Sequence, residues 1–270
     1  MEPPAHEGVP ELRGVTDDDH DHDDRARTTQ PRGGPRTPGD RVRKDARPAA
    51  LLGPADWSAP TECPQWDVRR MYLHVLGASH AGASMRENAH QMRAALAHRR
   101  RHGGPLEAAL SSVQVREREE LDPAAIVEGL AKIAPRTLRG RRRVPALVRR
   151  HARTTVDGPV HEKWTLGYLI DTIYLRDMWM HRIDACRATG RGIELTAAHD
   201  GRIVADVVAE WARRHDRPFT LELHGPAGGS FAQDPSAPET EHLELDAVGF
   251  CRTLAGREPG EGLLATVVPF

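Results

Sequence analysis

Apolar residues recur at helical spacing along most of the chain and switch to alternation only towards its C-terminal end. After Asp67, a good N-cap, the residues Val68, Met71, Tyr72, Val75 and Leu76 repeat as one face of a helix that should run to about Arg101. A second helix is predicted from Asp122-Pro123 to about Leu138, with proline at the first helical position, where its missing N–H costs nothing. A strong helix covers roughly Thr165 to Ala188 and is closed by Gly190, and another spans about Ala197 to Arg214. Then the period becomes two: Phe219-Thr220-Leu221-Glu222-Leu223-His224 reads as a strand ending in a turn at Gly225-Pro226. Leu243 to Leu254 is predicted as a short helix closed by Gly256, and Leu263 to Val268 as a last strand. A short helix is also expected from Asp40 to about Leu52, followed by a proline-rich loop up to Trp66. No internal repeat is visible. The expected class is mainly α with a small α+β part, a helical bundle over residues 41–216 followed by a small α+β domain over 217–270.

Residues 1–40 break this rhythm. They hold six prolines, five glycines and the run Asp17-Asp18-Asp19-His20-Asp21-His22-Asp23-Asp24, with almost nothing apolar to bury, so a disordered acidic tail is predicted. The tail also explains the overall charge of −1. It carries ten acids against five bases, whereas the remainder carries 29 against 33. The Asp/His run could hold a divalent cation loosely, but a solvated acidic stretch accounts for it as well.

Composition removes whole classes of protein. With 39% hydrophobic residues and no apolar run near ~18 residues, the chain is neither a helical membrane protein nor wholly disordered. Cys63, Cys186 and Cys251 are odd in number and form no CxxC pair, which argues against a disulfide framework or a cysteine-only zinc site. Together with an N-terminus lacking a basic and then apolar leader pattern, this predicts a cytoplasmic protein. From His98 to Arg153 there are 14 bases against six acids. Nucleic acid is the obvious partner for such a stretch, yet no DNA- or RNA-binding signature and no interleaved aromatics accompany it, so a solvated or anion-facing surface is the better expectation.

Chemistry concentrates on the Thr165–Ala188 helix. At about 100° per residue, Asp177, His181 and Asp184 fall within roughly 60° of Leu166, on the stripe formed by Ile170, Ile173 and Met180. A carboxylate buried without a partner costs several kcal/mol, so these groups must be paired, hydrogen-bonded or bound to metal. Asp177 and His181 are four residues apart and can share one cation from the same helix turn. An Asp–His or Asp–Arg pair that merely fixes packing explains the same spacing, with Arg176, Arg182 and Arg187 at hand. Any third ligand must come from another helix. His74, on the flank of the apolar stripe after Asp67, is one candidate among 15 histidines.

Two segments narrow the choice. Trp57 to Val75, containing Pro60-Thr61-Glu62-Cys63-Pro64-Gln65-Trp66-Asp67 and ending Leu73-His74-Val75, resembles the opening motif of the mycothiol-dependent maleylpyruvate isomerase family. Leu175-Arg176-Asp177-Met178-Trp179-Met180-His181-Arg182-Ile183-Asp184 resembles that family's second metal motif, in the right order about 100 residues later. The resemblance spans about residues 41–270 and implies a DinB-like four-helix bundle followed by a small domain akin to sterol carrier folds. It implies that His74, Asp177 and His181 bind one divalent metal, zinc by preference. It also implies mycothiol as the thiol cofactor. The carboxylate ligand in the family is a glutamate, so Asp177 is one methylene shorter, and two histidines with one carboxylate also suit iron(II) or nickel. Asp184 is expected to orient a ligand histidine through its second nitrogen. Arg257 is a candidate anchor for a substrate carboxylate, although an ordinary arginine in the loop after a helix explains it equally.

The function this resemblance implies is thiol addition with cis–trans isomerisation, or S-transfer, on a small electrophile, by a monomer or homodimer. The rival expectation is a non-catalytic metal- or small-molecule-binding module of a regulatory kind.

Overall fold

The computed structural model describes residues 27–28, 48–157 and 161–270. Eight helices and two sheets follow the sequence expectation of a mainly α chain with a small α+β part at its C-terminal end. Strand β1 is Arg27–Thr28, and the helices of the first half are α1 (Val68–Ala83), α2 (Met85–His102), α3 (Leu106–Arg116), α4 (Pro123–Arg142) and α5 (Ala146–His151). A hairpin follows, β2 (Arg153–Asp157) paired antiparallel with β3 (His161–Thr165). The chain then enters a helical turn at Leu166–Tyr168 and a π-helical turn at Leu169–Ile173, and continues as α6 (Tyr174–Ala188). The last elements are α7 (Asp200–His215), β4 (Phe219–His224), β5 (Gly229–Gln233), β6 (Glu241–Asp246) and α8 (Ala247–Leu254).

Side-chain caps set the helix starts. Asp67 accepts from the Arg70 N–H at 2.7 Å, Asp122 from Ala125 at 2.8 Å and Asp246 from Val248 at 2.9 Å, each satisfying an N–H that no helical carbonyl can reach. The single helix predicted from Asp67 to Arg101 is two helices. Ser84 is extended at φ −143°, ends α1 and caps α2 by accepting from Glu87, so the chain turns there without proline or glycine. The predicted 243–254 helix is also corrected. Leu243 and Leu245 alternate into the core as β6, and the helix starts only at the Asp246 cap. The strand predicted at Leu263–Val268 is instead a 3-10 turn at Gly262–Ala265 followed by irregular chain. Of the helix expected from Asp40, only a 3-10 turn at Pro48–Leu51 lies among the described residues.

The sheet has the order β1-β5-β4-β6, with β6 parallel to β4 and the other pairs antiparallel. Its first strand, Arg27–Thr28, comes from the tail expected to be disordered; the remainder of that tail lies outside the described residues.

Two main cores meet on α6. In one, Val68, Met71, Tyr72 and Leu76 of α1 pack on Ile126, Leu130 and Ile133 of α4, with Val115 of α3 and Ala185 of α6. In the other, Trp179, Met180 and Ile183 of α6 pack with Val204, Val207 and Trp211 of α7, Phe219 and Phe231 of the sheet and Phe250 of α8. Helix α7 therefore packs with the sheet, across the boundary expected near residue 216. Burying side chains such as Phe219 and Phe250 stabilises by roughly 1.5–3 kcal/mol each, so α6 is held firmly from the sheet side. Among the described residues, no helix is long and apolar enough to cross a membrane.

Candidate metal centre

Helix α6 carries the polar face left between the two cores. Asp177, His181 and Asp184 succeed one another at spacings of four and three, so they stack along one side. The π-helical turn just before α6 inserts an extra residue into the winding and uncouples this face from Ile170 and Ile173, which straight helical periodicity placed on the same stripe. Opposite stands α1, whose His74 is buried one turn beyond Met71.

The two helices bring three groups together. His74 Nε2 lies 3.5 Å from Asp177 Oδ2, and His181 Nε2 lies 3.2 Å from Asp177 Oδ1. One donor atom from each residue falls within 4.8 Å of the others. Zinc ligands at ~2.0–2.1 Å in a tetrahedron stand ~3.3 Å apart, so two imidazoles and this carboxylate fit a divalent metal in both chemistry and spacing. Burial disfavours charge on Asp177, yet His181 and His74 hold its carboxyl well below the usual carboxylate range. Burial likewise disfavours charge on His181, and Asp177 and then Asp184 push it well above the usual imidazole range. Asp177 and His181 thus each favour the charged form of the other.

The surroundings fix the imidazoles. His181 Nδ1 faces Asp184 Oδ2 at 3.3 Å, and Asp184, fully buried, accepts from Arg257 Nη2 at 2.9 Å. Arg257 also donates to the Ala255 carbonyl at 3.4 Å and lies 3.8 Å from Cys63 Sγ. Cys63 Sγ is 4.0 Å from Asp184 Oδ2. On the His74 side, Nδ1 is buried without a hydrogen-bond partner, and the Trp66 ring packs against the imidazole with centroids 4.9 Å apart. The loop bearing Cys63 and Trp66 is tied down through Glu62, which accepts from Arg252 of α8 at 2.5 Å and from Arg187 of α6 at 3.2 Å.

Thus His74, Asp177 and His181 converge, Asp184 sits behind His181, and Arg257 reaches the group from the C-terminal part. Trp66 and Cys63, which lie in the segment carrying the resemblance but outside its implied ligand set, also border the centre; their place just upstream of the α1 cap is the signal the sequence offers. The Asp/His run at 17–24 lies outside the described residues.

The family described as the mycothiol maleylpyruvate isomerase N-terminal domain matches residues 42–186, more than half of the chain and all three convergent groups. The chain belongs to this family. The shared fold extends beyond the matched domain of this maleylpyruvate isomerase relative. A crystal structure of the mycothiol-dependent maleylpyruvate isomerase is similar at a TM-score of 0.50 and 16% identity, covering 81% of this chain and 85% of that one. A crystal structure of a histidine-to-alanine mutant of that isomerase gives a TM-score of 0.49 at 15% identity, with the same coverage. No curated protein matches the sequence.

Proposed function

We propose that this chain is a metal-dependent enzyme that uses mycothiol to isomerise a small electrophile or to transfer the thiol onto one. The observation that carries the reading is the convergence of two imidazoles and one carboxylate from separate helices at ligand spacing, with the second nitrogen of His181 turned to a buried carboxylate. His74, Asp177 and His181 would hold the metal. When bound, a divalent cation with three protein ligands supplies an open Lewis-acid position at which a thiol is held as its thiolate near neutral pH.

The residues around that position have separable tasks. Asp184 keeps His181 in the tautomer whose Nε2 faces the cluster. Arg257, with Asp184 as its ion partner, keeps that carboxylate charged and lies at the edge of the site as a candidate anchor for anionic substrate. Trp66 covers the His74 ring and excludes water from that side. When bound there, the thiolate would supply reversible addition to the activated alkene, which would free the former double bond to rotate before the thiol leaves unchanged. The reduced cysteines Cys63, Cys186 and Cys251 support a cytoplasmic setting.

Metal analysis of the purified protein tests this directly. About one equivalent is expected, lost in His74→Ala and in His181→Ala, with mycothiol-dependent consumption of maleylpyruvate or another electrophile. A metal-free wild type sinks the proposal, and bound metal with no turnover across an electrophile panel leaves a binding module.

A further inference from the structure

Helix α5 is built inside out. A surface helix of a folded chain turns its apolar residues inward. Here the side chain held against the fold is Arg149, which donates from Nε to the Val144 carbonyl at 3.1 Å and from Nη2 to the Arg141 carbonyl, and pairs with Asp171 at 2.5 Å. Leu147 and Val148 are left 71% and 41% exposed, and no residue of α5 is buried. A third exposed apolar side chain joins them at this end of the molecule. Helix α4 ends against the junction of α1 and α2, where a Cβ on Gly140 would lie 2.2 Å from the Gly82 carbonyl oxygen and 3.1 Å from the Ala83 Cα. Helix α2 opens there with Met85, which is 82% exposed.

The surroundings of these apolar residues are strongly positive. Residues 136–153 hold eight arginines and no acid. Arg149 is engaged by Asp171, and Arg141 stacks on Tyr174 with its guanidinium carbon 5.0 Å from the ring centroid. The other six, Arg136, Arg139, Arg142, Arg143, Arg150 and Arg153, are exposed, and none makes an ion pair among the described residues. An exposed leucine alone needs no explanation. Three exposed apolar side chains set among unpaired arginines form a surface matched to a partner that is both anionic and apolar.

That combination separates the possible partners. A nucleic-acid backbone would use the arginines but has nothing for Leu147 and Val148, and no large aromatic is exposed here for stacking on bases. A second copy of the chain docked two-fold would set arginine against arginine. An anionic bilayer satisfies both features, with phosphates for the guanidinium forks and the edge of the acyl layer just beneath them for the aliphatic groups.

We propose that α5 and the arginines around it dock the protein on an anionic phospholipid surface, with Leu147 and Val148 entering the headgroup boundary and Arg142, Arg143 and Arg150 meeting lipid phosphates. Two apolar side chains anchor weakly, so the attachment is reversible and sensitive to salt. None of these side chains belongs to the candidate metal centre, and the attachment does not depend on the function proposed above.

Co-sedimentation of the full-length protein with vesicles tests this. Binding is expected to vesicles of phosphatidylglycerol and phosphatidylcholine in equal parts, falling as salt is raised, and none to phosphatidylcholine alone. Arg142→Ala, Arg143→Ala and Arg150→Ala combined should weaken partitioning about a hundredfold, at roughly fivefold for each positive charge near a lipid surface. Leu147→Ser leaves the charge unchanged and should weaken it about fivefold or more. Leu147→Trp gives a second reading, because its added fluorescence over wild type should shift to the blue on the mixed vesicles. Equal binding to both kinds of vesicle, or none to either, overturns the proposal, as does full binding of Leu147→Ser together with an unshifted Leu147→Trp. Binding to duplex DNA that persists in Leu147→Ser while the vesicles stay unbound assigns the arginines to nucleic acid and also overturns it.

Discussion

His181 turns its Nδ1 to the Oδ2 of Asp184 across 3.3 Å, and that same oxygen accepts from Arg257 at 2.9 Å. The chain Arg257–Asp184–His181 joins the loop after α8 to the candidate metal centre, so the C-terminal part acts on the cluster through one buried carboxylate. Replacing Asp184 with Asn keeps its shape and removes the charge that holds the imidazole. Zinc affinity in Asp184→Asn should fall about 10- to 100-fold, measured by competition with a chromophoric chelator. Affinity equal to wild type would show that Asp184 only packs.

The pairing of Asp177 with His181 gives the metal-free protein a distinctive pH dependence. His181 is raised above its ordinary value, so its contribution is complete below about pH 6.5 and is lost as pH rises through the folded value. Asp177 is lowered, so its contribution is present above about pH 4 and is lost as pH falls further. Zinc displaces the His181 proton, and the alkaline loss should vanish in the loaded protein. Urea unfolding at pH 6 and pH 9, with chelator and with zinc, checks this. An alkaline loss of equal size in both states would exclude His181 from the metal site.

Helical periodicity is enough to place Asp177, His181 and Asp184 on one apolar stripe, because a carboxylate there is conspicuous in one dimension, whereas His74 lies on the flank of its stripe and stands out only through the resemblance. What periodicity misplaced has local causes. Ser84 is a cap for one helix and the end of another, and its Ser-x-x-Glu start signal is masked by helical periodicity that continues on both sides. Leu243 and Leu245 alternate with Glu244 and Asp246 at the period of a strand, but Leu243 also continues the helical spacing of Ala247 and Phe250, and pairing with β4 settles it. Arg141 reads as one arginine in a basic run until the crossing of Gly140 over Gly82 brings it to α1. Such tertiary relations leave no trace in the spacing of residues along a single helix.

Asp200 is the structural counterpart of the site carboxylates. It is fully buried at the start of α7, where it accepts from Trp179 Nε1 at 3.0 Å and from the Thr196 N–H at 2.6 Å, and pairs with Arg182. Burial opposes its charge, but Arg182 and these donors keep its pKa below the ordinary value. Its stabilisation is therefore present above about pH 4 and fades as pH falls through the lowered value. Asp200→Ala leaves the Arg182 charge buried and should cost about 3–5 kcal/mol by chemical unfolding at pH 7. A loss below about 1 kcal/mol would mean that the pair is solvated in solution.

The crossing of α1 and α4 yields the sharpest steric expectation. Any Cβ at position 140 meets the Gly82 carbonyl at 2.2 Å and the Ala83 Cα at 3.1 Å, and backbone cannot rotate aside as a flexible side chain can. Gly140→Ala must therefore separate the two helices. Helix propensity favours alanine over glycine by about 1 kcal/mol, so a gain is expected if the helices are already apart. Overpacking of a close contact costs roughly 1–3 kcal/mol and should outweigh that gain. Because His74 sits on one of the two helices being separated, Gly140→Ala should also weaken zinc binding. Thermal unfolding gives the sign. A stabilised Gly140→Ala with wild-type zinc binding would refute the close crossing.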